Sequence, residues 1–344
     1  MKLIECVPNF SEGRGRGTIR AIVHALETKP GHTVLNVDMG RDANRTVVTT
    51  VCPPEAAIEA ALRGIREASR LIEMNQHSGV HPRIGSTDVF PFIPLHGTTI
   101  EDCVTLSRQL AERIGMELHI PVFLYGDAAM RPSRRLLSGI RAGEYESLVQ
   151  DIGKPGWEPD YGPAVLHPRA GAVAVGARPL LIAYNVNLDT KDLRIAKSIA
   201  AAIRESGDRT DNRGPATGGT GRLNACQAIG WNMPEYGLTQ VSMNLTNYRI
   251  TPPHIAYETC KEQARFHDVS VRGSELIGMI PLQALLMAGT YYAMNKTGGV
   301  LDEDKSIQLA IEHLGLSSVH AFIPKKKILE YRIKEKLGFR IGGL

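Results

Sequence analysis

The sequence predicts an α+β protein made of two ferredoxin-like subdomains, each running β-α-β-β-α-β, that together form a cleft. Three observations support this. The chain has 344 residues, more than one small core organises. Its apolar residues switch repeatedly between a helical period and a strand period. The element order of the first half returns in the second, although the residues themselves do not repeat.

In the first half, an apolar strand over 3–7 leads into a helix where Ile19, Ile22, Val23 and Leu26 recur at i, i+3, i+4 and i+7. Strands over 33–37 and 45–52 flank the turn-prone stretch MGRDAN. Pro53 and Pro54 then open a helix with Ile58, Leu62, Ile65 and Ile72 on one side, and a strand over 89–95 closes the unit. A helix over 99–117 and a strand over 120–125 are additions to it. The second half reads as strand 180–187, helix 190–206, strands 224–232 and 238–247, helix 253–266 and strand 268–274. Asp189 is the expected N-cap of the helix that carries Ile195, Ile199 and Ile203, with Asp192 three residues on. Along 240–246, Gln240, Ser242 and Asn244 alternate with Val241, Met243 and Leu245, giving a strand with one polar face able to bind a ligand. The expected divisions are an N-terminal subdomain at 1–178, a C-terminal subdomain at 179–331 and a basic tail at 332–344.

Composition narrows the class. Hydrophobic residues make up 43% against 22% charged, the balance of a globular protein. No apolar run approaches the ~20 residues of a membrane span, and MKLIECVPNF lacks the apolar core of a signal peptide. A cytoplasmic protein without membrane contact is expected. The five cysteines, Cys6, Cys52, Cys103, Cys226 and Cys260, are scattered without a Cys-x-x-Cys pair, so reduced thiols and no metal are expected. The last twenty residues carry seven Lys or Arg and two Glu, more than the whole formal charge of +4. No basic stripe interleaved with aromatics occurs elsewhere, which argues against nucleic acid as a partner, while a basic surface suits a polyanionic small molecule.

Chemistry concentrates in HSGVHPRIGSTDVFPFIPL at 77–95. His81, stiffened by Pro82, stands beside Arg83 at the mouth of a strand that also supplies Asp88, so a proton carrier and an anion clamp sit together. His77 and His81 are four apart, but Gly79 and Pro82 break any helix and no H-E-x-x-H motif is present, which excludes a zinc helix. The run RGPATGGTGR at 213–222 lacks the Gly-Lys-Ser/Thr ending of a phosphate loop and reads as a mobile connection. The segment 162–179, GPAVLHPRAGAVAVGARP, offers small residues that let a flat ligand approach the backbone, with Gly162, Pro163, Gly171, Gly176 and Arg178 as candidate contacts. No G-x-S-x-G nucleophile elbow occurs. These residues support a two-lobed enzyme with a His and Arg site, or a nonenzymatic ligand-binding module.

The sequence also resembles the glutamate formimidoyltransferase family. The resemblance rests on ECVPNFSEG at 5–13, Asp38 followed by NRTV at 44–47, HPRIGSTDVFPFIPL at 81–95, RAGEYESL at 141–148, DYGPAVLHPRAGAVAVGAR at 160–178, QVSMNLTNY at 240–248 and GSELIGMIPLQALL at 273–286. It covers almost the whole chain. It implies paired ferredoxin-like lobes and transfer of a formimidoyl group from N-formimidoyl-L-glutamate to the 5-nitrogen of tetrahydrofolate, in histidine degradation. It further implies tetrahydrofolate as co-substrate, no metal, a homodimer, and a stand-alone form without a cyclodeaminase domain. By the same resemblance His81 is the catalytic histidine, Asp38 orients it and raises its pKa, and Arg83 clamps a substrate carboxylate. Folate is expected along 162–178 and against Gln240, Ser242 and Asn244. Val80 departs from the acidic residue many members carry there, and the tail after Tyr331 extends past the usual end. The alternatives are formyl transfer between 5-formyltetrahydrofolate and glutamate, and folate binding without turnover.

Overall fold

The computed structural model describes residues 2–28, 30–207, 221–296, 301–339 and 341–342. They fall into two compact units, Met1–Pro179 and Leu180–Leu344.

In the first unit, β1 (Leu3–Cys6) stops at Val7-Pro8, where proline removes a ladder donor, and resumes as β2 (Asn9–Phe10). Helix α1 (Arg16–Glu27) buries Ile19, Ile22 and Leu26, the positions its helical spacing singles out. Strands β3 (Thr33–Gly40) and β4 (Arg45–Cys52) form an antiparallel hairpin, α2 (Pro54–Leu71) starts with proline in its first turn, and β5 (Thr87–His96) follows. The pairings are β3 with β4, β4 with β1 and β2, and both of these with β5, all antiparallel. That is the 4-1-3-2 strand order of a ferredoxin-like sheet. Helix α3 (Ile100–Arg113), closed at its start by a Thr99–Asp102 capping box, runs on into a π turn at Ile114–Leu118. Beyond it, β6 (Val122–Gly126) and β7 (Val173–Ala177) extend the sheet in parallel, β7 lying between β5 and β6. Short helices α4 (Leu137–Ile140) and α5 (Glu144–Asp151) lie between these two strands in sequence.

The second unit repeats the order. Strands β8 (Ile182–Leu188), β9 (Cys226–Met233), β10 (Leu238–Leu245) and β11 (Val271–Ile277) form an antiparallel sheet ordered β11-β8-β10-β9, again 4-1-3-2. Helices α6 (Leu193–Ile203) and α7 (Pro253–Phe266) are its two crossovers. Tyr184, Val186, Val241 and Met243 pack with Ile199 and Cys260 into one core, which leaves the alternate face to Asn185, Asn187, Gln240, Ser242 and Asn244.

Two expectations need correction, and three helices were not anticipated. The cap of α6 is Asp192, whose carboxylate accepts from the Arg194 N–H, while Asp189 instead pairs with Arg272. The basic segment does not separate at 332, because α11 (Leu329–Leu337) runs through that point and buries Ile333 completely. The helices α8 (Leu282–Lys296), α9 (Glu303–Leu314) and α10 (Pro324–Lys327), which precede α11, have no counterpart in the predicted elements. Most of the glycine-rich run at 213–222 lies outside the described residues.

Candidate active site

The loop from 77 to 88 is pressed into place by backbone. A Cβ on Gly79 would stand 2.3 Å from the Ala43 carbonyl oxygen, and one on Gly85 would stand 1.8 Å from that of Ala172, so both positions require glycine. Asn44, held at φ 46°, accepts from the Gly13 N–H at 2.9 Å and donates to the Ser78 carbonyl at 2.9 Å. His77 Nε2–H donates to the Asn44 carbonyl at 2.9 Å, which leaves its Nδ1 to accept from Arg83 Nε at 3.2 Å.

Arg83 is where the structure departs most from the expected substrate clamp. A guanidinium has five N–H donors. Here Nε goes to His77 Nδ1, Nη1 to Glu144 at 2.8 Å and Glu146 at 2.7 Å, and Nη2 to Glu146 at 2.6 Å and the His77 carbonyl at 3.1 Å. All five are committed to the protein's own acceptors, and the fork that would grip a ligand carboxylate grips Glu146. Arg83 thereby ties the histidine loop to α5.

Asp88 sits at an irregularity of β5. Asn9 faces Val89 and Phe10 faces Thr87, so Asp88 is the extra residue of a bulge, which re-aims its side chain. The carboxylate is fully buried, accepts from the Ile84 N–H at 2.9 Å, and is shared by Arg45 and Arg141. Burial opposes its ionisation, but the two guanidiniums hold it well below the usual carboxylate range. Burial lowers Arg45 to about 10. Two cations against one anion leave an excess positive charge beside His81.

His81 responds to that charge. Burial pushes its pKa well below 6.5, Arg45 and Arg141 push it further, and Asp88 pulls it partly back. This is opposite in direction to the rise expected from an Asp38 partnership. Its Nδ1 lies 2.7 Å from the Pro82 carbonyl, so the ring donates there and carries its lone pair on Nε2. Asp38 and Asn9 both pair with Val47, one row from Arg45 on the sheet face away from Val48 and the helices. In that row the Asp38 carboxylate accepts from Asn36 at 3.3 Å, and Asn9 accepts from Arg45 Nε at 3.0 Å. A cavity of about 530 Å³ opens nearby, lined by His77, Gly79, Arg83, Arg141, Glu144 and Glu146 among others.

The candidate folate contacts divide. Added Cβ atoms on Gly162, Gly171 and Gly176 would come within 2.6 Å of Ile120 O, 2.6 Å of Ile84 O and 2.5 Å of Tyr125 respectively, so these glycines serve close packing inside the protein. Pro163 is exposed, and Arg178 donates to the Pro179 carbonyl at 3.0 Å and hydrogen-bonds Tyr125. Gln240 accepts from Trp231 at 2.8 Å and Asn185 at 3.3 Å, and donates to Asn187 at 2.7 Å and Glu275 at 3.0 Å. Its amide has no capacity left for a ligand. Ser242 and Asn244, half-buried, share its face.

Sequence reasoning gave no role to Arg45, Arg141, Glu144 or Glu146. Arg45 lies within NRTV, and the other three lie within RAGEYESL, so the motifs were visible while the pairings, 43 and 53 residues from Asp88 in the case of the arginines, were not.

The formiminotransferase domain, N-terminal subdomain, matches residues 3–178, and the formiminotransferase domain matches residues 183–334. Formimidoyltransferase-cyclodeaminase of Dictyostelium discoideum is 46% identical over 337 residues, covering 98% of this chain and 61% of that protein. Glutamate formimidoyltransferase of Streptococcus pyogenes serotype M1 is 41% identical over 313 residues, covering 91% of this chain and 99% of that protein. The enzyme of the same name from Thermoplasma acidophilum is 43% identical over 294 residues, covering 85% and 92%. The chain thus spans about three-fifths of the Dictyostelium protein and nearly all of the other two.

Proposed function

The chain belongs to the formiminotransferase family, and on that premise we propose that it transfers the formimidoyl group of N-formimidoyl-L-glutamate to the 5-nitrogen of tetrahydrofolate, releasing glutamate and 5-formimidoyltetrahydrofolate. The reaction belongs to histidine degradation. A cytoplasmic homodimer is part of this reading. No described helix is long and apolar enough to cross a membrane.

The observation that carries the reading is the state of His81. Its lowered pKa keeps it neutral near pH 7, and its tautomer puts the lone pair on Nε2. Attack of the folate 5-nitrogen on the amidine carbon forms a tetrahedral intermediate. Nε2 takes the proton from the attacking nitrogen and returns it to the departing glutamate nitrogen, so one imidazole serves as base and then as acid. An imidazole whose pKa is far below 7 is a weak base. The anionic substrate remedies this: a carboxylate near Arg45 and Arg141 balances their excess charge and lets the His81 pKa climb toward the working pH. Arg83 acts as a positioning residue, holding the loop through His77, Glu144 and Glu146, and Asp38 is a second carboxylate from the same sheet face as Arg45. For folate, Arg178 and the exposed Pro163 are the candidate contacts that the first unit offers.

The test is to incubate the purified full chain with N-formimidoyl-L-glutamate and tetrahydrofolate, and separately with 5-formyltetrahydrofolate and glutamate, and to identify the folate product by mass spectrometry. Formation of 5-formimidoyltetrahydrofolate in the first mixture is expected. Turnover in the second mixture alone would reassign the chain as a formyl transferase. Folate binding without turnover in either would make it a binding protein.

A further inference from the structure

Away from the His81 site, on the helix-covered side of the first sheet, Cys6, His32 and Cys52 bring their ligand atoms within 4.8 Å of one another. All three are buried, the two cysteines completely. They come from the end of β1, the residue just before β3 and the end of β4, so one site touches three neighbouring strands. We infer that this trio is a structural zinc site.

The imidazole supplies an independent observation. Thr50 Oγ1 lies 3.3 Å from the Cys6 carbonyl and 3.3 Å from His32 Nε2. With its proton given to the carbonyl, the hydroxyl accepts from Nε2–H, which puts the His32 lone pair on Nδ1. That nitrogen is buried and has no hydrogen-bond partner. A bare acceptor in an apolar core is costly, and a soft cation beside two sulfurs would satisfy it. Charge selects the cation. Two thiolates and a neutral imidazole around Zn²⁺ make a neutral centre, the form that can be buried without a counter-ion. Binding releases two protons, one from each thiol, so the balance is Zn²⁺ with two thiols and an imidazole going to a zinc dithiolate and two H⁺. Each thiol must give up its proton to bind, so occupancy should weaken as pH falls. Cys103 is close enough to act on Cys6 electrostatically, but a third thiolate would leave a buried negative charge.

The experiment is expression of the full chain in cobalt-supplemented minimal medium, followed by metal analysis and absorption spectroscopy. About one Co²⁺ per chain is expected, with a thiolate-to-cobalt charge-transfer band and tetrahedral d–d bands. Cys52→Ala and His32→Ala should each lose at least nine-tenths of the metal, and Cys103→Ala should keep it. Wild-type protein with no sulfur charge-transfer band overturns the site, whether or not the variants fold. A band of undiminished intensity in Cys52→Ala, or its loss in Cys103→Ala, overturns this ligand set.

Discussion

Replacing Asp88 by asparagine removes one charge from the group around His81 and little else. The amide is nearly isosteric, and its oxygen can still accept from the Ile84 N–H as the carboxylate does at 2.9 Å. What disappears is the charge of the carboxylate that Arg45 and Arg141 share, their side chains being 7% and 14% exposed against 0% for Asp88. Breaking a buried pair by removing one partner costs about 3–5 kcal/mol, because the other charge stays buried without compensation. Here two such charges remain, so the upper part of that range is expected. Asp88 also raises the His81 pKa, so its loss should move the acidic limb of kcat/KM to lower pH. The sign of the stability effect with pH follows from the depressed carboxylate. Its contribution is complete above its unfolded value near 3.8 and fades only as pH falls through the much lower folded value. The gap between wild type and variant should therefore persist from pH 7 down to about pH 4. Urea denaturation across that range, with pH–rate profiles of both proteins, makes the measurement. A loss below about 1 kcal/mol at pH 7, or an acidic limb that stays in place, would refute the shared-carboxylate account.

Three further outcomes follow from the same structure. His81→Ala should lower turnover by about 10²–10⁴-fold, the usual worth of a general acid-base, with little change in folate affinity; retention of more than about a tenth of the rate would exclude the role. In chelator-treated protein, buried His32 and His254, one in each unit, have pKa values lowered by burial from 6.5 to about 4. The unfolded chain takes up these protons first, so stability should fall as pH drops from about 6.5 to about 4, by roughly 3 kcal/mol per histidine at the bottom of that window; equal stability at pH 7 and pH 4.5 would contradict it. Gly171→Ala forces a Cβ into a backbone at φ 70° and to 2.6 Å from the Ile84 carbonyl, so it should cost more than about 1 kcal/mol while leaving folate affinity unchanged in the folded fraction; a stable variant with weakened folate binding would restore the ligand-approach role for that glycine.

Helices and strands with one buried face were readable in the sequence. Ile19, Ile22 and Leu26 point into the core in the structure as their spacing requires, and Val241 and Met243 alternate with Ser242 and Asn244. Helix α8 escaped because its apolar residues do not gather into one stripe: Ala284, Leu285, Ala288 and Tyr292 are buried, with Leu286, Met287 and Tyr291 packed against the same core. Asp189 reads as the cap of α6 because it precedes the apolar period, but the helix begins three residues later and Asp192 caps it. At the site, His81-Pro82-Arg83 and Asp88 stand out because they are close in sequence. Their partners are not. No local pattern shows that Arg83 spends its whole fork on Glu144 and Glu146, or that the amide of Gln240 is consumed by Trp231, Asn185, Asn187 and Glu275.

The extension of the first sheet has a kinetic consequence. Strand β5 reaches its parallel neighbour β7 across more than eighty residues, Val89 facing Ala174, and Arg141, the second cation on Asp88, belongs to the intervening chain. Closing so long a loop is an entropic cost that comes before any contact rewards it, and parallel pairings of this kind form slowly. A nascent chain that has completed only β1 to β5 would hold Arg45 and Asp88 as one cation against one anion, before Arg141 joins them. The doubly paired carboxylate is thus a late product of folding, complete only once the chain that leads into β7 has docked.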